Sequence, residues 1–222
     1  MVERRQEFER DLEAIEAKVI ELFAIIAEDL PEATTALLTG NNDIMQKLLE
    51  RDKTVSALYP ETEQLANREI LLQAPVADDL RFLLAVLRVL TEFELSHDLV
   101  IQIASRANHF LADDLSPRTR GIVERMGNVV AGMWRQAADC WYQRDRSAAL
   151  AVAERDDEMD QLYSSLIAEL ASGQMALPVT MDMTLVARFY ERLGDHAVTI
   201  ARRVVFLAGS GGSAGSAGPV GE

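Results

Sequence analysis

Two stretches of the chain are variants of one another: ELSHDLVIQIA at residues 94–104 and ERLGDHAVTIA at residues 191–201. Each places a glutamate and an aspartate four residues apart and follows them with apolar residues at helical spacing. The likeness extends upstream. Glu50-Arg51-Asp52, followed by Val55, Leu58 and Tyr59, matches Glu154-Arg155-Asp156, followed by Met159, Leu162 and Tyr163. A duplicated unit must fold the same way twice, here as an up-down-up bundle with short loops. That restricts the fold more than any other feature of the sequence.

Punctuation divides each copy into three helical stretches. Gly40-Asn41-Asn42 closes the first, which begins near residue 3 and contains Pro31, expected to kink or split it. The second runs over 43–72, with Ile44, Leu48, Val55, Leu58, Leu65 and Leu72 at helical period, and ends at Ala74-Pro75. The third covers 78–111. Ser116-Pro117 then supplies an N-cap and a first-turn proline for a fourth stretch reaching about residue 144. A fifth spans 147–171, and a sixth follows Pro178 to about residue 208. No alternating β-branched pattern occurs. The reading is an all-α chain of two tandem, pseudo-symmetric three-helix bundles, 1–111 and 112–208, ending in a flexible Gly/Ser/Ala-rich tail, 209–222.

The charges lie opposite the apolar stripes. In the sixth stretch Val186, Phe189, Leu193, Ala197, Ile200, Val204 and Leu207 make a core face. Glu191 and Asp195 each stand two residues from Leu193, about 200° around the helix. They therefore point outward, in a row with Thr184, Arg188, Thr199 and Arg202. The third stretch repeats this, with Phe82, Val86, Val89, Phe93, Val100 and Ile103 inside and Glu94 and Asp98 outside. The fifth adds Asp156 and Asp160 beside Val152, Met159, Leu162, Leu166 and Leu170. In the second, Asp52 has a counterpart but Ser56 stands where Asp160 does. One acidic pair on an exposed helix face is ordinary, its repulsion worth only about 0.2–0.5 kcal/mol. Recurrence at matching places suits hard, oxygen-liking cations such as Mg²⁺, Mn²⁺, Ca²⁺ or iron, which would relieve that repulsion.

The formal net charge of −14 disfavours contact with a phosphate backbone, so no nucleic-acid partner is expected. Cys140 is the only cysteine, which excludes an internal disulfide or a cysteine zinc site; its neighbours Trp141 and Tyr142 point to a buried thiol. No signal-peptide pattern and no apolar run long enough for a bilayer is seen, so a soluble, cytoplasmic protein without membrane insertion is expected.

QAPVADDLR (73–81), ERDDEMDQLY (154–163) and RFYERLGDHAV (188–198) resemble segments of the PhoU family of bacterial phosphate-signalling regulators, nearest its actinobacterial branch. The resemblance covers nearly the whole chain up to the tail. It implies two three-helix bundles whose Glu/Asp-x-x-x-Asp motifs hold divalent or trivalent metal (Fe, Mn, Mg or Zn) on the bundle surface. Carried over residue by residue, the motif falls on Asp156, Asp160, Glu191 and Asp195 in the second repeat and on Asp52, Glu94 and Asp98 in the first. The first repeat departs at Ser56 and at His97, where the second has Gly194. The resemblance further implies a homodimeric negative regulator without catalytic residues. Its partners would be a sensor histidine kinase and the ATPase subunit of the phosphate-specific transporter, with the starvation response held off when phosphate is plentiful.

Two other readings compete. Glu94-Leu95-Ser96-His97 matches the Glu-x-x-His of di-metal carboxylate enzymes, which require a second such motif that Gly194 removes. A metal-free helical scaffold would leave the acidic rows simply solvated. Against the di-metal reading, His97 is expected to be a solvated, structural residue rather than a ligand, and His109 and His196 to lie on the surface.

Overall fold

The computed structural model describes residues 2–108 and 114–208. Six long helices account for most of them: α1 (Val2–Thr39), α2 (Asn42–Gln73), α3 (Ala77–Ser105), α4 (Pro117–Gln143), α5 (Arg146–Ala171) and α6 (Leu177–Ala208). No strand occurs among the described residues. The ends are set by local chemistry. Asn41 accepts from the Asp43 and Ile44 amides, Ser116 from the Thr119 amide, and Asp145 from the Ser147 and Ala148 amides, so each satisfies N–H groups that a helix start leaves without partners. Gly40 closes α1 at φ 68°, the left-handed geometry that glycine adopts without strain. Ala74 and Ala77 adopt the same region at φ 44° and 52° around Pro75, where a β-carbon costs about 1–2 kcal/mol per residue.

Several expectations need correction. Pro31 does not split α1, and Pro60 lies within α2. Pro31 faces water, where the carbonyl that loses its N–H partner can be hydrated. The α2 stripe drifts: Leu72 is exposed, while Met45, Thr62, Ala66 and Glu69 are buried. α3 stops at Ser105, and a 3-10 turn continues it to Asn108. The expected end of that stretch at residue 111, His109 and the tail at 209–222 lie outside the described residues. Cys140 is buried, as its neighbours suggested, and burial pushes its thiol pKa up.

α1, α2 and α3 pack together, as do α4, α5 and α6. The two sets join through α1 against α4 and α3 against α6, and their apolar faces merge into one core. Aromatic residues fill the seam. Phe23 meets Phe93 edge-on at 4.7 Å, and Trp134 lies 6.2 Å and 5.9 Å from them. Such edge and tilted contacts add about 0.5–1.5 kcal/mol each beyond the area they bury. Trp134 donates its indole N–H to the Leu193 carbonyl at 3.0 Å, tying α4 to α6 directly behind the acidic row. Thr34 donates to the Leu30 carbonyl, so the Tyr190 hydroxyl donates to Thr34 Oγ1 at 2.7 Å, linking α1 to α6.

Candidate metal centre

The core stripe of α6 packs on α5, so its register places Glu191 and Asp195 on one edge of the α5–α6 contact and Asp156 and Asp160 of α5 on the same face. Asp160 and Asp195 are exposed, Asp156 is half-buried, and the Glu191 side chain keeps 18% exposure. Gly194, on the buried side of α6, lets α5 come close: a Cβ there would stand 3.3 Å from Asp156 Oδ1.

The four carboxylates act on one another. Burial first, then the charges of Asp195, Asp160 and Asp157, push the Asp156 pKa up against the pull of Arg202. Glu191 is raised by burial and then by Asp195, with Arg188 opposing. Arg188 Nη1 lies 2.5 Å from Glu191 Oε2, an ion pair by distance, yet no donor meets that oxygen in hydrogen-bond geometry. Among the described residues no hydrogen bond or salt bridge reaches Asp156, Asp160 or Asp195. The face is thus an all-oxygen, under-neutralised set of donors, which fits a hard cation. As placed, no three His, Cys, Asp or Glu side chains among the described residues converge enough to hold an ion. The four share a face rather than a formed coordination sphere.

The first-half residues are arranged differently. Glu94 and Asp98 are exposed on α3 and Asp52 is 40% exposed on α2. His97, expected in solvent, is 1% exposed because it turns inward between two carboxylates. Its Nδ1 lies 3.0 Å from Asp52 Oδ1 and its Nε2 3.1 Å from Asp29 Oδ2. Asp29 is fully buried and is also bonded by Arg51. Partial burial works against the Arg51 charge, but the bond and charge of Asp29 leave its pKa raised. The Glu-x-x-His reading is not met, since Glu94 faces water while His97 faces α1. His196, expected on the surface, is buried at the α3–α6 contact, 2.9 Å from Ser96 Oγ and 3.3 Å from Glu92 Oε2.

Asp29 and Arg51 escaped the sequence reading. The available signal was an aspartate set three residues beyond Ile26 on the buried face of α1, where an acid demands a partner. A groove of about 540 Å³ between α1, the start of α3 and the end of α6 contains none of the seven candidate ligands. Leu12, Ile20, Phe82 and Leu207 line it, with Arg144 stacked over Phe82 and bonded to Glu16.

The PhoU domain matches the chain twice, over residues 19–107 and 123–204, one match on each set of three helices. The chain belongs to the PhoU family. A PhoU homolog from Zymomonas mobilis, named as a phosphate-specific transport system accessory protein, is 33% identical over 90% of this chain and 86% of its own length. PhoU homolog 2 of Mycobacterium tuberculosis, of the same description, is 28% identical over 92% of this chain and 97% of its own. The crystal structure of PhoU from Pseudomonas aeruginosa superposes with a TM-score of 0.84 at 25% identity, covering 90% of this chain and 98% of that one. Two tandem helical bundles are therefore the PhoU architecture. No helix among the described residues is long and apolar enough to cross a membrane.

Proposed function

We propose that this PhoU-family chain is a non-catalytic regulator of phosphate-specific transport. It connects the transporter's ATPase subunit to a sensor histidine kinase in the cytoplasm and keeps the phosphate-starvation response off when phosphate is plentiful. The observation that carries the reading is the match, in sequence and in fold across both bundles, to proteins named as accessory to phosphate-specific transport. The under-neutralised α5–α6 face supports a metal centre held by Asp156, Asp160, Glu191 and Asp195. A cation there would supply positive charge that offsets their repulsion and ties α5 to α6. The acidic surface, at a net −14, favours basic partner surfaces and acts mainly on association rate and specificity. The protein acts as a homodimer.

The test is reporter expression from a phosphate-starvation promoter in a deletion strain. The genes are expected to stay on in rich phosphate, with full repression restored by the intact chain and partial repression by Asp160→Asn/Glu191→Gln. Normal repression in the deletion strain removes the regulatory reading. Full repression by the variant removes the metal centre from the mechanism.

A further inference from the structure

We propose that the two carboxylate clusters are not equivalent: the first is closed by an internal Asp29–His97–Asp52 clamp and takes no metal ion, so the chain carries one metal centre, at α5–α6. The single-centre count rests on the reading of that centre given above; the clamp rests on its own geometry. One imidazole joins three helices, with α3 supplying His97, α2 supplying Asp52 and α1 supplying Asp29. Both ring nitrogens are occupied by carboxylate oxygens, so neither is free to ligate, and Asp52 Oδ1 is turned to the ring. The second oxygen of Asp29 is bonded by Arg51, which completes a network that is buried at Asp29 and His97 and reaches the surface at Asp52.

The second half makes the opposite choice at each matching place. Gly194 stands for His97, and with no side chain there nothing from that position of α6 reaches the half-buried Asp156, which feels the charges of Asp195, Asp160 and Asp157 against the pull of Arg202. Arg51 ends on Asp29 of α1, whereas its counterpart Arg155 runs across Gly132 of α4, its Nη1 2.6 Å from where a Cβ would sit. Asp160 supplies an oxygen that Ser56 cannot match in charge. All three exchanges run in one direction. The first half gains a polar cross-link and loses a ligand, and the second keeps its ligands and leaves their charge open.

Equilibrium dialysis of the full chain with Mn²⁺ reads the difference. Asp52→Asn/Asp98→Asn is expected to bind as much Mn²⁺ as the parent. Asp160→Asn/Glu191→Gln is expected to bind at least about ten-fold more weakly, the change that about 1.4 kcal/mol makes. Loss of bound Mn²⁺ in Asp52→Asn/Asp98→Asn overturns the proposal. If the parent binds no Mn²⁺, the α5–α6 reading fails and the single-centre count with it, and thermal melts in a chelator decide the clamp alone. There His97→Gln should lower Tm by roughly 4–10 °C, and Asp29→Asn should cost less in that background than in the parent. An unchanged Tm overturns the clamp whatever the metal result. Should His97→Gln not fold, the milder Asp52→Asn is expected to lower Tm by about 2–4 °C, and no drop overturns the clamp equally.

Discussion

Gly194→Ala tests the α5–α6 face in two directions at once. The new methyl would stand 3.6 Å from Met133 Cε and Met159 Cγ, ordinary contacts, and 3.3 Å from Asp156 Oδ1, a few tenths of an ångström too close. Asp156 is half-buried with no hydrogen bond or salt bridge, so its carboxylate can rotate away. Rotation off its preferred well costs about 0.5–1.5 kcal/mol. Against that, alanine in place of glycine inside a helix gains about 0.8–1.0 kcal/mol, and the buried methyl adds roughly 0.8 kcal/mol. The net is a gain of about 0.1–1.3 kcal/mol, or a rise of up to roughly 5 °C in Tm for the metal-free protein. With Mn²⁺ the sign reverses, because Asp156 has moved. A ten-fold weaker Kd at saturating Mn²⁺ removes about 1.4 kcal/mol of linked stabilisation, roughly 3–5 °C of the metal-induced shift. Paired thermal melts of parent and variant, in chelator and in Mn²⁺, read both numbers. A lower Tm in chelator would show that Asp156 cannot yield. An undiminished Mn²⁺ shift would refute Asp156 as a ligand.

Gly127→Ala should behave oppositely. Its Cβ would collide with Thr34 Oγ1 and stand 2.8 Å from Cγ2, at the α1–α4 seam and on the side chain that accepts from Tyr190. Overpacking and a displaced buried bond together should cost about 2–4 kcal/mol after the helix-propensity gain, readable as a lower urea midpoint, and Thr34→Ala should relieve part of it. Stability of the metal-free chain should also depend on pH in an unusual sense. Asp156 and Glu191 have raised pKa values when folded, so between their ordinary and folded values the folded state holds more protons than the unfolded one. Their penalty is full above the folded values and vanishes below the ordinary ones, so Tm should rise as pH falls through the folded values towards the ordinary carboxylate range, and should rise less in Asp160→Asn/Asp195→Asn, where burial remains but two charges are gone. A Tm in chelator that falls steadily over that range in both proteins would contradict the charge coupling.

The sequence by itself determined the helical architecture, because apolar spacing, caps and breakers are local. Ser116-Pro117, Asn41 and the stripe from Val186 to Val204 each specify their element without reference to the rest of the chain. The outward placement of Asp195, Glu94 and Asp98 was legible for the same reason, since a residue's face on a helix follows from its offset to the core stripe. What only the tertiary structure decided is the company each polar side chain keeps. His97 and His196 read as surface residues because histidine among acids is usually solvated, but α1 packs against one and α3 against the other. Asp29 is distant in sequence from both Asp52 and His97, and no local periodicity joins the three. Their meeting depends on how three helices are rotated against one another, and the edge-on Phe23–Phe93 contact holds α1 against α3 in that arrangement. Burial then turns those neighbours into obligations, because a charge removed from water must find a partner in whatever faces it.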